Sequence, residues 1–163
     1  MKLLLMTLLF VAAYSFAENP TISQLVGTWR LVSIEDTTKD RKTGPSAQFG
    51  PHATGFLMYE PDGHMCAAIM NPDRPVAKDQ ANPTDAEKAA YYDSFVAYCG
   101  TYKLDSAKSI VTHYPSVAWW PQYVGSTQAR PFKLEGNHLI ITVTEGMEDI
   151  GVQKRVLVWE RAK

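Results

Sequence analysis

The segment Leu25-Val-Gly-Thr-Trp-Arg-Leu-Val-Ser-Ile34 constrains this chain more than any other stretch. As a strand it alternates: Leu25, Gly27, Trp29, Leu31 and Ser33 share one face, and Val26, Thr28, Arg30, Val32 and Ile34 the other. Glycine weakens a strand interior, so Gly27 beside an indole implies that something bulky must come close. The end of the chain supplies a partner. In Val156-Leu-Val-Trp-Glu-Arg161, the side chains of Leu157, Trp159 and Arg161 share a face. If this last strand pairs with the first, Arg161 lies over Trp29 as a cation–π lid. A sheet whose last strand pairs with its first is a closed barrel, sealed here at one end.

Five blocks carry a family resemblance: Leu25-Val-Gly-Thr-Trp-Arg-Leu-Val-Ser33, Tyr59-Glu-Pro-Asp-Gly-His-Met65, Tyr98-Cys-Gly-Thr-Tyr102, Gln128-Ala-Arg-Pro-Phe132 and Trp159-Glu-Arg161. Gly27-x-Trp29 with Arg161 on the last strand resembles the lipocalin and calycin pattern. The wider text is similar to the bacterial and fungal lipocalin-like domain family. The resemblance implies a calyx closed by Gly27, Trp29 and Arg161. Barrels of this kind host transport, binding and isomerase or cyclase chemistry alike, so the fold alone does not select among them.

Residues 1–17 read as a signal peptide and 18–163 as the barrel domain. Lys2 is a positive n-region, Leu3 to Ala13 an apolar h-region, and Ser15-Phe16-Ala17 a small-x-small site for cleavage before Glu18. The apolar run is short for a membrane span, and no cysteine follows it to carry a lipid. The expectation is export, to the periplasm or the medium, with no stable membrane anchor after cleavage. Charge is balanced, with 16 Lys and Arg against 17 Asp and Glu and no basic stripe, which argues against nucleic acid as a partner. Cys66 and Cys99 admit two readings. Bridged, they close a loop of about 33 residues, worth about 3–4 kcal/mol in the chain-entropy picture. Unbridged, they are two buried thiols. Neither Cys-x-x-Cys nor Cys-x-x-His spacing occurs, so no metal site is expected from the two cysteines. No metal and no cofactor are nominated, although a single inward histidine could serve as a haem ligand.

Along the chain, Asp36 to Pro51 reads as a long polar loop, a candidate lid. Gly55 to Tyr59, the turn Pro61-Asp62-Gly63 and His64 to Met70 form a hairpin. Asn71 to Pro83 is a second loop. Thr84-x-x-Glu87 is a capping box opening a helix from Asp85 to about Ala97, with Ala89, Tyr92, Phe95 and Val96 on its apolar side and Gly100 as its stop. Strands follow at 100–104, 109–114, 127–135, 138–144 and 152–161, with Trp119, Trp120 and Tyr123 in the loop 117–125. The fold class is therefore all-β: an eight-stranded antiparallel lipocalin-like barrel with one α-helix inserted between strands 3 and 4.

Alternation also nominates the interior. Gln128, Arg130, Phe132 and Leu134 share a face that Phe132 and Leu134 turn inward. Arg155 lies on the face of Leu157 and Trp159. Tyr102 and Leu104 point in; Val111 and His113 oppose Ile110, Thr112 and Tyr114, without deciding which set is inside. A buried arginine needs an anionic or hydrogen-bonding partner. For Arg130 that partner is either an internal network or the acid group of a ligand. The ligand contacts nominated are Arg130, Gln128, Tyr102, His113, Tyr59, Trp120, Phe132 and Arg155. His64 and His113 are the candidate proton movers should the barrel catalyse an isomerisation or cyclisation. The preferred reading is a small-molecule-binding protein for a hydrophobic or amphipathic partner; the alternatives are an enzyme using the same cavity, a haem or nitric-oxide carrier with one axial histidine, and a structural barrel filled by its own side chains.

Overall fold

The computed structural model describes residues 19–144, 147 and 150–163, so residues 1–17, expected to be a signal peptide, lie outside the described residues. The strands are β1 (Gly27–Thr38), β2 (Thr43–Pro45), β3 (Thr54–Tyr59), β4 (His64–Met70), β5 (Phe95–Asp105), β6 (Ile110–Ala118), β7 (Gln128–Glu135), β8 (His138–Val143) and β9 (Val152–Arg161). They form one antiparallel sheet in the order β2-β1-β3-β4-β5-β6-β7-β8-β9, and β9 pairs back onto β1. Eight strands thus close the barrel, and the three-residue β2 is an addition that hangs on β1. Among the described residues two α-helices flank it, α1 (Ile22–Leu25) and α2 (Asp85–Asp93). Among the described residues no helix is long and apolar enough to cross a membrane.

The closed end is built from the residues nominated for it. Trp29 pairs with Arg161 across β1 and β9, and the guanidinium carbon stands 4.2 Å from the ring centroid. Arg161 also donates to the carbonyls of Val26 and Gln24, and the Trp29 indole donates to the carbonyl of Leu25. Gly27 has φ +123°, and a Cβ there would sit 2.8 Å from the Arg161 guanidinium. The glycine is therefore needed twice, for its backbone and for the arginine's passage.

Four expectations about local structure change. Leu25 belongs to α1, not to the first strand, and is buried as a floor residue. Val32 and Ser33 bulge opposite Val158, which turns Ile34 and then Asp36 inward instead of outward. β1 runs on through Asp36 to Thr38 and β2 takes Thr43–Pro45, so the expected loop 36–51 is interrupted by strand, and in its turn Ser46 and Phe49 are each 1% exposed. The helix α2 keeps its capping box, with the Glu87 amide on Thr84, but ends at Asp93; it buries no side chain, and Phe95 already begins β5. Gly100 is then no helix stop. A Cβ there would lie 2.0 Å from the Tyr114 carbonyl oxygen, so Gly100 lets β6 approach β5 at its bulge.

The core is the inward side of the barrel. Leu31, Leu57, Met65, Val111, Phe132, Leu139, Ile141 and Trp159 are buried together. Cys66 and Cys99 are direct partners across β4 and β5 and form a disulfide. They alternate with the inward residues Met65, Ala67 and Tyr98, so the bridge lies on the outer face of the sheet.

Candidate functional site

The barrel is hollow. Its interior holds a cavity of about 980 Å³, at the upper end of the 300–1,000 Å³ usual for small-molecule sites. An interior filled by its own side chains is therefore not what this chain builds. Inward side chains of the barrel step across β7, β8 and β9 in register. Leu134, Leu139 and Trp159 form the layer nearest the closed end, and Phe132, Ile141 and Leu157 the next. Two residues further toward the mouth, alternation brings in Arg130 from β7, Val143 from β8 and Arg155 from β9.

Arg155 is held on every side. Its Nε and Nη2 donate to the two carboxylate oxygens of Asp36 at 2.7 and 2.8 Å. Nη2 also donates to Ser46 Oγ and Nη1 to Gln48 Oε1, both at 3.1 Å, and Phe49 stacks 5.1 Å from the guanidinium. Arg155 stands at the cavity wall, 8% exposed, on the face it shares with Leu157 and Trp159. The bulge in β1 makes this possible by turning Asp36 inward.

Arg130 is as deeply placed, at 6% exposure, but its acceptors are neutral. Nη2 donates to Gln128 Oε1 at 2.7 Å and to the Tyr123 hydroxyl at 3.1 Å, and Nη1 to the Ala129 carbonyl at 3.1 Å. Among the described residues no carboxylate pairs with it.

Facing Arg130 is a buried polar chain. Tyr59 Oη lies 2.7 Å from His113 Nε2, and Tyr98 Oη lies 2.9 Å from His113 Nδ1. Burial, with Arg130 adding its charge, pushes the His113 imidazole down to about 3, so the ring is neutral at physiological pH. Burial likewise lifts Tyr98 to about 12, against the opposing pull of Arg130, and lifts Tyr59 well above an ordinary phenol. Above this chain the mouth is aromatic. Tyr123 sits in a turn opened by Pro121 and packs edge-on against Tyr98 at 5.3 Å and Trp119 at 5.1 Å, with Trp120 beside it. In the lower wall, the buried Trp159 indole N–H has no acceptor among the described residues.

The family model described as a lipocalin-like domain matches residues 26–162. The chain belongs to this family. No curated protein matches it. Among solved structures, the lipoprotein YedD from Klebsiella pneumoniae subsp. pneumoniae MGH 78578 is similar at 14% identity and a TM-score of 0.38, over 90% of this chain and 79% of that one. The fluorescent protein UnaG is similar at 14% identity and a TM-score of 0.42, over 87% of this chain and all of that one. Likenesses this distant carry no argument about a ligand.

Within this lipocalin-like barrel, the nominated residues divide. Arg130, Gln128, His113, Trp120 and Arg155 line the cavity. Tyr59, Tyr102 and Phe132 are inward but not on its wall: Tyr59 lies behind His113, Tyr102 packs on Tyr59 at 4.7 Å and donates to the Glu60 carbonyl, and Phe132 is packed core. His64 stands outside the barrel on the hairpin turn, exposed beside Asp62, and reaches no cavity group. Tyr98, Tyr123, Asp36 and Phe49 line the cavity without having been nominated as contacts. Tyr98 was legible in part: it shares the alternation of Tyr102 and Leu104 once the strand is seen to begin at Phe95. Asp36 was not, because a bulge reverses alternation and leaves no composition signal. Among the described residues no His, Cys, Asp and Glu cluster offers a metal site.

Proposed function

We propose that this lipocalin-like protein is exported and holds a small amphipathic molecule in its barrel, apolar body inside and acidic head at Arg130. One observation carries the reading: a buried guanidinium, bonded only to neutral groups among the described residues, opens onto a largely apolar cavity of about 980 Å³. An uncompensated buried charge is costly, and a ligand anion removes that cost on binding. Trp119, Trp120 and Tyr123 give the entrance a flat aromatic rim. Export rests on the leader-like residues 1–17 and agrees with the disulfide.

His113, the candidate proton mover that does line the cavity, has both ring nitrogens engaged by tyrosines. It has no free lone pair for a substrate, which favours binding over proton-transfer chemistry.

The test is a pair of titrations, with dodecanoate and with dodecanol, read by tryptophan fluorescence. Arg130→Met is expected to weaken dodecanoate about 30-fold or more and leave dodecanol nearly unchanged. Equal loss for both probes, or for neither, would remove Arg130 as the head-group anchor.

A further inference from the structure

The chain Tyr59–His113–Tyr98 has a direction, and the direction follows from hydrogen bookkeeping. In a neutral imidazole one nitrogen donates and the other accepts. Two polarities are conceivable. In the first, Tyr98 donates to Nδ1, and Nε2–H donates to Tyr59. The Tyr59 hydroxyl hydrogen then has no acceptor: His113 is its one partner among the described residues, and Tyr59 is fully buried and off the cavity wall. In the second, Tyr59 donates to Nε2, and Nδ1–H donates to Tyr98 Oη. The hydrogen left over is now that of Tyr98, which lines the cavity, where an acceptor can reach it. A donor stranded in the core loses its hydration with no return, so the second polarity wins.

Arg130 does not choose between the two polarities, but in the second it limits where the Tyr98 hydrogen can go. A guanidinium has donors and no acceptor, so the Tyr98 hydroxyl cannot give its hydrogen to Arg130. The positive charge of Arg130 favours Tyr98 with its lone pairs, not its hydrogen, toward the guanidinium. The remaining hydrogen is directed to the cavity side.

We propose that Tyr59 and His113 form a relay of fixed polarity that aims the Tyr98 hydroxyl hydrogen into the cavity beside Arg130, making Tyr98 a second, specificity-determining donor for a monoanionic carboxylate head. One positive charge with one neutral donor matches a single negative charge. An alcohol oxygen can accept from these donors but brings no charge to set against Arg130, and an ammonium brings a like charge. The carboxylate half rests on the reading of the cavity given above; the relay half does not.

The relay is read without any ligand. In protein labelled with 15N-histidine, the His113 ring signals are assigned by their loss in His113→Gln, and their shifts at neutral pH report the tautomer. Hydrogen on Nδ1 with a bare Nε2 is expected; hydrogen on Nε2 overturns the relay. Tyr59→Phe removes the donor to Nε2 and is expected to move the tautomer toward Nε2–H. A Tyr59→Phe protein whose His113 stays on Nδ1–H shows that Tyr59 does not set the polarity, and overturns that part.

The carboxylate half is read by dodecanoate and dodecanol on Tyr98→Phe. The expected loss is about tenfold for dodecanoate and little for dodecanol. Unchanged dodecanoate affinity in Tyr98→Phe overturns the assignment of Tyr98. A wild-type protein that binds neither probe overturns the carboxylate half together with the function proposed above, and the tautomer still decides the relay.

Discussion

Arg130 and Arg155 point into the same cavity from β7 and β9, at 6% and 8% exposure. Arg155 has a bidentate carboxylate, a hydroxyl, an amide oxygen and an aromatic face. Arg130 has an amide oxygen, a phenol and a backbone carbonyl. The difference teaches that burial alone does not mark a binding group. What separates a structural arginine from a receptor is whether the fold itself supplies the opposite charge. Arg155 and Asp36 tie β9 to β1, closing the barrel near its open end as Arg161 and Trp29 close it below.

That contrast is broken most directly by taking away the carboxylate. Asp36→Ala leaves Arg155 buried and unpaired, and urea unfolding should show a loss of about 3–5 kcal/mol. The double variant Asp36→Ala with Arg155→Met should recover much of it. If Asp36→Ala is nearly neutral, the pair is not structural and the contrast falls.

The disulfide serves as the control on the outer face. Cys66→Ser with Cys99→Ser should lower stability by about 3–4 kcal/mol, since the bridge spans a separation of 33 residues. Dodecanoate affinity should not change, because neither cysteine lines the cavity.

A pH series sharpens the comparison, since Arg130, and not Arg155, acts on His113. Unfolded, His113 takes its proton near the ordinary 6.5; folded, it resists until about 3. Between those values the unfolded state binds more protons, so stability falls as pH falls, by up to about 1.4 kcal/mol per pH unit. His113→Gln should flatten that contribution below pH 6.5. Arg130→Met should narrow it from the acid side, by removing the charge that helps hold the ring neutral; a slope unmoved by His113→Gln would assign the acid sensitivity elsewhere.

The smallest effect expected is that of Arg130→Met on the empty protein. Removing a charge with no carboxylate partner among the described residues should change unfolding stability by about 1 kcal/mol or less, in either direction. A loss of several kcal/mol would make Arg130 a structural residue like Arg155.

Legibility in the sequence followed the periodicities. Where alternation ran unbroken, as through Gln128, Arg130, Phe132 and Leu134 or Leu139 and Ile141, the inward set could be read directly. Where a bulge intervened, as at Val32 and Ser33, reading failed from that residue on, and Asp36 was lost to a loop. The helix was legible at its start, because Thr84 and Glu87 cap each other locally. Its end was not, because Phe95 and Val96 obey the pull of the β4 pairing over their helical spacing.

The sequence by itself determined the closed barrel: Gly27, Trp29 and Arg161 need one another across the first and last strands, and local alternation carries the strands between them. Only the tertiary structure decided which arginine is compensated, which histidine is inside and which tyrosine faces the cavity. Those facts depend on register between strands far apart in the chain, and no local pattern encodes a partner that arrives from 119 residues away, as Asp36 does for Arg155.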